Sequence, residues 1–253
     1  MTIHAILQAR MTSTRLPGKV LKEILGQPML SRQIERLQKA SMIDKIIIAT
    51  SNEPSDDPIA LLCQQLCIPC VRGSLHDVLG RYYLASQTYP SQHVVRITGD
   101  CPLIDPAIVD QVIQLHLEKL ADYTSNCLHQ SFPDGLDIEI FTQQALIQAY
   151  QFAKKPEERE HVTPYIYNHP EQFSQRELYY PHDLSFHRWT VDQPEDFTLV
   201  NKIYEQLYPE NPNFALADIL RLIEQQPSLS SINAKHPRND SLLSPTTRQE
   251  VQS

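Results

Sequence analysis

Residues 3–21 read IHAILQARMTSTRLPGKVL. The apolar run from Ile3 to Leu7 has the length and composition of a buried strand. A loop carrying the cations Arg10, Arg15 and Lys19 follows at once, with hydroxyls at Thr12, Ser13 and Thr14 and a turn forced by Pro17-Gly18. A strand that feeds a polar, basic loop is how α/β folds present a phosphate site at the carboxyl end of a parallel sheet. Guanidinium forks and backbone N–H groups suit a polyanion there, with lysine as a point charge. The plainer reading is a solvated surface loop. Three cations, three hydroxyls and a turn within ten residues favour the phosphate site. The loop is not a Walker loop, because G-x-x-x-x-G-K-[ST] is absent.

The rest of the chain alternates strand and helix patterns. Pro28 to Ala40 reads as a helix with Met29, Leu30, Ile34 and Leu37 at helical spacing, and Asp44 to Thr50 as a continuous apolar strand of a parallel sheet. A helix over residues 56–66 with Asp56 as its cap, a short strand at Cys70-Val71, a helix over 76–89 and a strand over 94–97 follow. This predicts an α/β fold, a doubly wound and mostly parallel sheet with right-handed crossovers. Further strands are expected over residues 134–141, 173–180 and 188–192, and helices over 106–120, 194–207 and 213–225. From Pro227 to Ser253 the chain is polar, proline-bearing and aperiodic, which predicts a flexible tail behind a domain of residues 1–226.

Composition narrows the classes of function. The 253 residues carry a net charge of −8, so the cations of the first loop are placed for a local anion, and a general nucleic-acid binder is not expected. No apolar run approaches 18 residues and no signal-peptide pattern opens the chain, which predicts a cytoplasmic protein without a membrane span. Only 6 glycines are present, so side chains must supply much of the phosphate grip. Cys63, Cys67 and Cys70 form C-x3-C-x2-C, yet two of them fall one turn apart on a predicted helix, and buried reduced thiols are the expectation.

Two aspartates stand at predicted strand ends beside prolines. Asp100 lies in Thr98-Gly99-Asp100-Cys101-Pro102 and Asp192 ends Arg188 to Asp192, before Pro194. Carboxylates there can meet a phosphate-bound metal, although aspartate is also common in turns. Asp77 and Arg81 are spaced as a surface i,i+4 pair, and the carboxylates of 157–161 suit a helix start.

The run from Gln8 to Leu21, with ITGDCPLIDP (97–106), YTSN (123–126), DGLDIEIF (134–141), EREHVTPYIY (158–167) and RWTVDQPEDF (188–197), resembles the cytidylyltransferases that make CMP-sugars. These are relatives of CMP-KDO synthetase and acylneuraminate cytidylyltransferase, with the SpsF-like spore coat polysaccharide group nearest, and the likeness spans roughly residues 1–222. It implies transfer of CMP from CTP to an acidic sugar or similar acceptor, with pyrophosphate released, in polysaccharide or glycoconjugate biosynthesis. It implies Mg²⁺ on Asp100 and Asp192, and a catalytic group of Arg10, Arg15, Lys19 and Asp100. Nucleotide contacts are implied at Gln8, Ala9, Arg10, Ser13, Arg15, Lys19, Arg72, Asp77, Arg81, Thr98, Gly99 and Asp100. Acceptor contacts are implied at Asn126, Asp137, Glu139, Glu160 and His161, and an insertion of about residues 130–185 is implied to help form the acceptor site and a homodimer. Lys154, Arg159 and Arg188 are the cations available to an acidic acceptor. Two other classes share the sheet: a glycosyltransferase using a nucleotide-sugar donor, and a non-catalytic sugar-nucleotide binding module.

Overall fold

The computed structural model describes residues 1–236 and residue 238. In chain order they form β1 (Ile3–Gln8), β2 (Glu23–Ile24), β3 (Gln27–Pro28), α1 (Met29–Leu37), β4 (Lys45–Ser51), α2 (Asp57–Gln65), β5 (Cys70–Gly73), α3 (Val78–Thr88) and β6 (His93–Thr98). Then come α4 (Pro106–Glu118), β7 (Tyr123–Ser125), β8 (Glu139–Thr142), α5 (Gln143–Phe152), α6 (Pro156–His161), α7 (Pro164–Tyr167), β9 (Gln175–Glu177), α8 (Pro194–Leu207) and α9 (Leu216–Gln225). Among the described residues the main sheet has seven strands in the order β5-β4-β1-β6-β8-β7-β9. Strand β1 runs parallel to both β4 and β6, and β4 parallel to β5. Strand β8 is antiparallel to both of its neighbours.

Alternation along β1 divides the core. Ile3, Ala5 and Leu7 pack into one layer with α1, α2, α4, α8 and α9, while Ile6 packs into the other with α3, α5 and α7. Both faces of the parallel strands are therefore covered, as their unbroken apolar composition predicts. The sheet order puts the ends of β1, β4 and β6 side by side, which is where the basic loop and Asp100 emerge. Among the described residues no helix is long and apolar enough to cross a membrane.

Several expectations need correction. The strand expected over residues 134–141 is only β8: Asp134 bridges to Arg188, and Leu136 and Ile138 bond to Asn126 just beyond β7 without a regular ladder. Residues 188–192 form no strand beyond that bridge, and the strand expected over 173–180 is the short β9. Asp56 does not cap α2 with its side chain; it is fully buried and works elsewhere. Within the expected insertion, β8 and β9 pair into the main sheet itself.

The tail also departs from expectation. Residues 227–229 form a 3-10 turn with Leu229 buried, and Asn233 is only 3% exposed. Its amide donates to the Arg188 carbonyl at 2.9 Å and to Asp196 at 2.8 Å. Lys235 and His236 reach Glu195, and Arg238 reaches Asp137. These anchors are single polar residues without periodicity, so pattern reading could not see them. The remaining part of the expected tail, 239–253 with 237, lies outside the described residues.

Replacing Asn233 by Ala should therefore destabilise the protein by about 1–3 kcal/mol, because two buried acceptors lose their donor. Urea unfolding of the variant measures this; an unchanged midpoint would show that the attachment contributes nothing to the fold.

Candidate active site

The first loop is shaped by an aspartate that pattern reading assigned to a helix. Asp56 accepts the Met11 N–H at 2.7 Å, and also the hydroxyls of Thr50 and Ser51 at the end of β4. This ties the loop after β1 to the end of the neighbouring strand. The loop then closes on itself: Gly18 N–H donates to the Met11 carbonyl at 2.9 Å, and Gly18 adopts φ 70°, where a side chain would be strained. A one-turn 3-10 segment, Lys19–Leu21, begins there and carries Lys19 inward.

Lys19 is the centre of the site. Its ammonium donates to Asp100 at 3.1 Å, to Asp192 at 2.8 Å and to the Val191 carbonyl at 2.7 Å. Arg15 joins Asp192 at 2.7 Å. The loop after β1 thus meets the end of β6 and the segment before α8. Gly99 permits the close approach, since a Cβ there would lie 2.7 Å from the Gln8 carbonyl. Val191 N–H donates to the Asp100 carbonyl at 2.8 Å, which fixes the spacing of the two carboxylates. Burial works against a charged Asp100, but Lys19, Thr98 and Cys101 overcome it and hold that carboxyl at about 2. Burial likewise works against the Lys19 ammonium, and the paired aspartates reverse the balance and raise it.

Behind this triad sits a scaffold that motif reading did not single out. Arg188 is buried, makes a two-pronged contact with buried Asp196 at 3.0 Å, and reaches Asp134 and Asp192 at 3.3 Å. Asp196 also accepts the backbone N–H groups of Asp192 and Gln193, so it holds the Asp192 backbone as well as starting α8. The signal was present as D-x3-D at a helix start, but the arginine partner lies outside that spacing.

The other expected nucleotide residues divide. Gln8, Ala9, Thr98 and Gly99 stand at the paired ends of β1 and β6, and Arg10 is exposed with Glu160 at 4.0 Å. Ser13 accepts from Leu16 N–H within the loop. Arg72 instead braces the end of β4, donating to the carbonyls of Ser51 and Glu53 and pairing with Asp57. Asp77 and Arg81 do not pair with each other. Asp77 caps α3 through Gly80 N–H and pairs with Arg159, while buried Arg81 donates to the carbonyls of Ser74 and Leu75.

The expected acceptor residues divide too. Asn126 is fully buried and spends its amide on the Leu136 carbonyl and Ile138 N–H, which corrects its reading as a pocket lining. Glu139 is buried between Arg96 and the Tyr123 hydroxyl, so it belongs to the floor of the sheet rather than to an exposed acidic face. Glu160 is open to solvent, and His161 is half-buried on α6, its pKa lowered by burial. Asp137 pairs with Arg238. Of the cations offered to an acidic acceptor, Arg188 and Arg159 are committed to aspartates and Lys154 is exposed. Cys63 is buried, Cys70 half-buried and Cys67 exposed, all as free thiols.

Asp100 and Asp192 supply two hard oxygen donors at one point, fewer than a protein-only metal cage. Among the described residues no group of three or more His, Cys, Asp or Glu forms such a cage. Two carboxylates fit Mg²⁺, which keeps several waters and takes its remaining ligands from substrate phosphates.

The sequence matches the cytidylyltransferase family over residues 4–232. It is 37% identical over 236 residues to the MJ1063 protein of Methanocaldococcus jannaschii, covering 92% of this chain and 95% of that one. It is 30% identical to the spore coat polysaccharide biosynthesis protein SpsF of Bacillus subtilis, covering 89% and 95% of the two chains. Its fold superposes on a cytidylyltransferase from Leptospira borgpetersenii with a TM-score of 0.86 and 33% identity, covering 90% of this chain and 96% of that one.

The Lys19 bridge can be tested by titration. Asp100 contributes stability above its ordinary pKa of 3.8, and that contribution fades as pH falls toward 2, because the folded carboxyl is the depressed one. In Lys19→Met the two aspartates face each other with less cation, so the Asp100 carboxyl should titrate well above 2. Carboxyl-detected NMR checks this; an unmoved titration would show that Lys19 does not hold the pair.

Proposed function

The chain belongs to the cytidylyltransferase family, and we propose that it transfers CMP from CTP to a hydroxyl of a small sugar-like acceptor, releasing pyrophosphate. The observation that carries this reading is the convergence of Lys19 and Arg15 on Asp100 and Asp192. Phosphate-gripping cations and metal-accepting carboxylates sit at one point, as attack on an α-phosphorus requires.

Arg10, Arg15 and Lys19 grip the triphosphate and offset the charge that grows on the α-phosphate oxygens and the leaving pyrophosphate. Lys19 and Arg15 neutralise Asp192, and a triphosphate would offer them a more highly charged anion. Asp100 and Asp192 would then hold Mg²⁺, which supplies charge neutralisation on phosphate oxygens. Positioning and charge suffice for this chemistry, and no covalent enzyme intermediate is needed. The likeness to SpsF supports a proposed role in polysaccharide biosynthesis. A glycosyltransferase would release a nucleoside diphosphate instead, and a binding module would release nothing.

Thermal shift with each of the four triphosphates and Mg²⁺, run beside an assay of pyrophosphate release, tests the proposal. CTP should raise the melting temperature most. With an accepted hydroxyl compound, Asp100→Asn should cut pyrophosphate release by roughly 10²-fold or more while leaving metal-free CTP binding nearly unchanged. Equal shifts for all four nucleotides would remove the assignment to CTP.

We also propose a two-fold homodimer formed through the expected insertion. Phe152 and Tyr179 are 58% and 57% exposed there, and Tyr150, beside Phe152 on α5, stacks on Tyr83 at 4.0 Å. Light scattering at micromolar concentration should give twice the chain mass; a monomer mass would refute it.

A further inference from the structure

Asp192 stands in a segment that the sheet does not hold. Beyond the bridge between Asp134 and Arg188, residues 188–192 belong to no described strand, so each backbone group there needs a partner of its own. Trp189 N–H donates to the Asp134 carbonyl at 2.7 Å, Val191 N–H to that of Asp100 at 2.8 Å, and Asp192 N–H to the Asp196 carboxylate at 3.0 Å. The Arg188 carbonyl accepts instead from the Asn233 side chain at 2.9 Å. That partner lies 45 positions further along the chain, in a strap that runs from Asn233 to Arg238.

Asn233 fills more than one acceptor. Its Nδ2 group also donates to Asp196 Oδ1 at 2.8 Å, the same oxygen that accepts from Arg188 Nε at 3.0 Å. A carbonyl and a carboxylate can only accept, so the amide must turn its nitrogen toward them and use both hydrogens. It thereby joins the Arg188 main chain to the carboxylate that receives the Arg188 side chain. A long side chain clamped at both ends has little rotamer freedom left. Its guanidinium reaches Asp192 Oδ2 at 3.3 Å, where Arg15 also arrives at 2.7 Å. Asp196 Oδ2 meanwhile accepts the N–H groups of Asp192 at 3.0 Å and Gln193 at 2.9 Å. One amide thus steadies Asp192 by two routes: its backbone through Asp196, and its carboxylate through Arg188. Asn233 is buried and Asp196 fully so, which leaves little access for a water to replace the amide.

We propose that Asn233 is a positioning residue for the metal-accepting carboxylate of Asp192, acting through Asp196 and Arg188, and that the strap is thereby a working part of the transfer site. The inference rests on the cytidylyl-transfer reading for the metal and the nucleotide. Arg10, Arg15 and Lys19 come from the loop after β1 and do not lean on Asn233, so the phosphate grip and the metal side separate in their dependence on it. Lys235 and His236 hold the same strap to Glu195 at the surface, without touching Asp196 or Arg188. They make the internal comparison.

Hydrogen exchange followed by amide NMR on the full chain reads the clamp without any nucleotide. In Asn233→Ala the amides of Asp192 and Gln193 should exchange about tenfold faster relative to those of β1 and β4, because the carboxylate they donate to has lost a partner. Calorimetry reads the consequence. Loss of an outer partner of a metal ligand costs about 10–100-fold, so Asn233→Ala should bind CTP at least about tenfold more weakly in saturating Mg²⁺, with metal-free CTP binding changed by less than about twofold. Asn233→Ser keeps one donor and should show the same pattern at smaller size; it decides the matter if the Ala variant does not fold. Lys235→Ala loses only an exposed pair and should match the unaltered chain. The proposal is overturned if exchange at Asp192 and Gln193 moves no more than elsewhere, if CTP affinity falls equally with and without Mg²⁺, or if Lys235→Ala reproduces the effect. A chain that binds no CTP at all removes the cytidylyl-transfer reading, and the exchange result then decides alone whether Asn233 positions Asp192.

Discussion

One ammonium group between two carboxylates organises this protein. Lys19 comes from the loop after the first strand, Asp100 from the end of the fourth parallel strand, and Asp192 from the entry to a late helix. Each would be costly to place alone with this degree of burial, since an unpaired charge removed from water loses several kcal/mol of hydration. Together they are compensated, and the chain segments that carry them are drawn to one point. The same compensation is conditional on ligand. Any polyanion that recruits Lys19, or metal that recruits the carboxylates, exchanges one partner for another rather than leaving a charge bare.

The centre holds its geometry because the segments beneath it are themselves tied. Asp56 fastens the basic loop to the end of β4 through backbone and hydroxyl donors, and Asp196 fastens the Asp192 backbone while gripping Arg188. Buried pairs of this kind add little net stability compared with apolar packing, but breaking one is strongly destabilising, of order 3–5 kcal/mol. Their contribution is position. Arg188 shows this best: sequence reading offered it to an acceptor carboxylate, whereas it is spent on Asp134, Asp192 and Asp196.

Charge also differs between the two sides of the site. The loop side is cationic, with Arg10, Arg15 and Lys19; the side formed by residues 134–139 is anionic, and its arginines are consumed internally. The strap from Asn233 to Arg238 lies on the anionic side, so its packing and the chemistry there are linked.

The sequence determined the fold class and the identity of the central residues. Short continuous apolar runs rich in β-branched residues suit strands buried on both faces, and β1, β4 and β6 formed where those runs lie. The α8 helix occupies Pro194–Leu207, where proline and acidic residues mark a helix start. Arg15, Lys19 and Asp100 could be singled out because loop cations and a strand-end carboxylate have local signatures, whereas the strand expected before Asp192 did not form. What only tertiary structure decided is which polar side chains are spent inside. Asn126 became a clamp, Arg72 a brace and Asp56 an anchor, and Arg238 crossed the molecule to Asp137. The physical reason is that a polar residue's partner is fixed by proximity across the fold, 45 positions apart for Met11 and Asp56 and 101 for Asp137 and Arg238, and no local periodicity encodes such a distance.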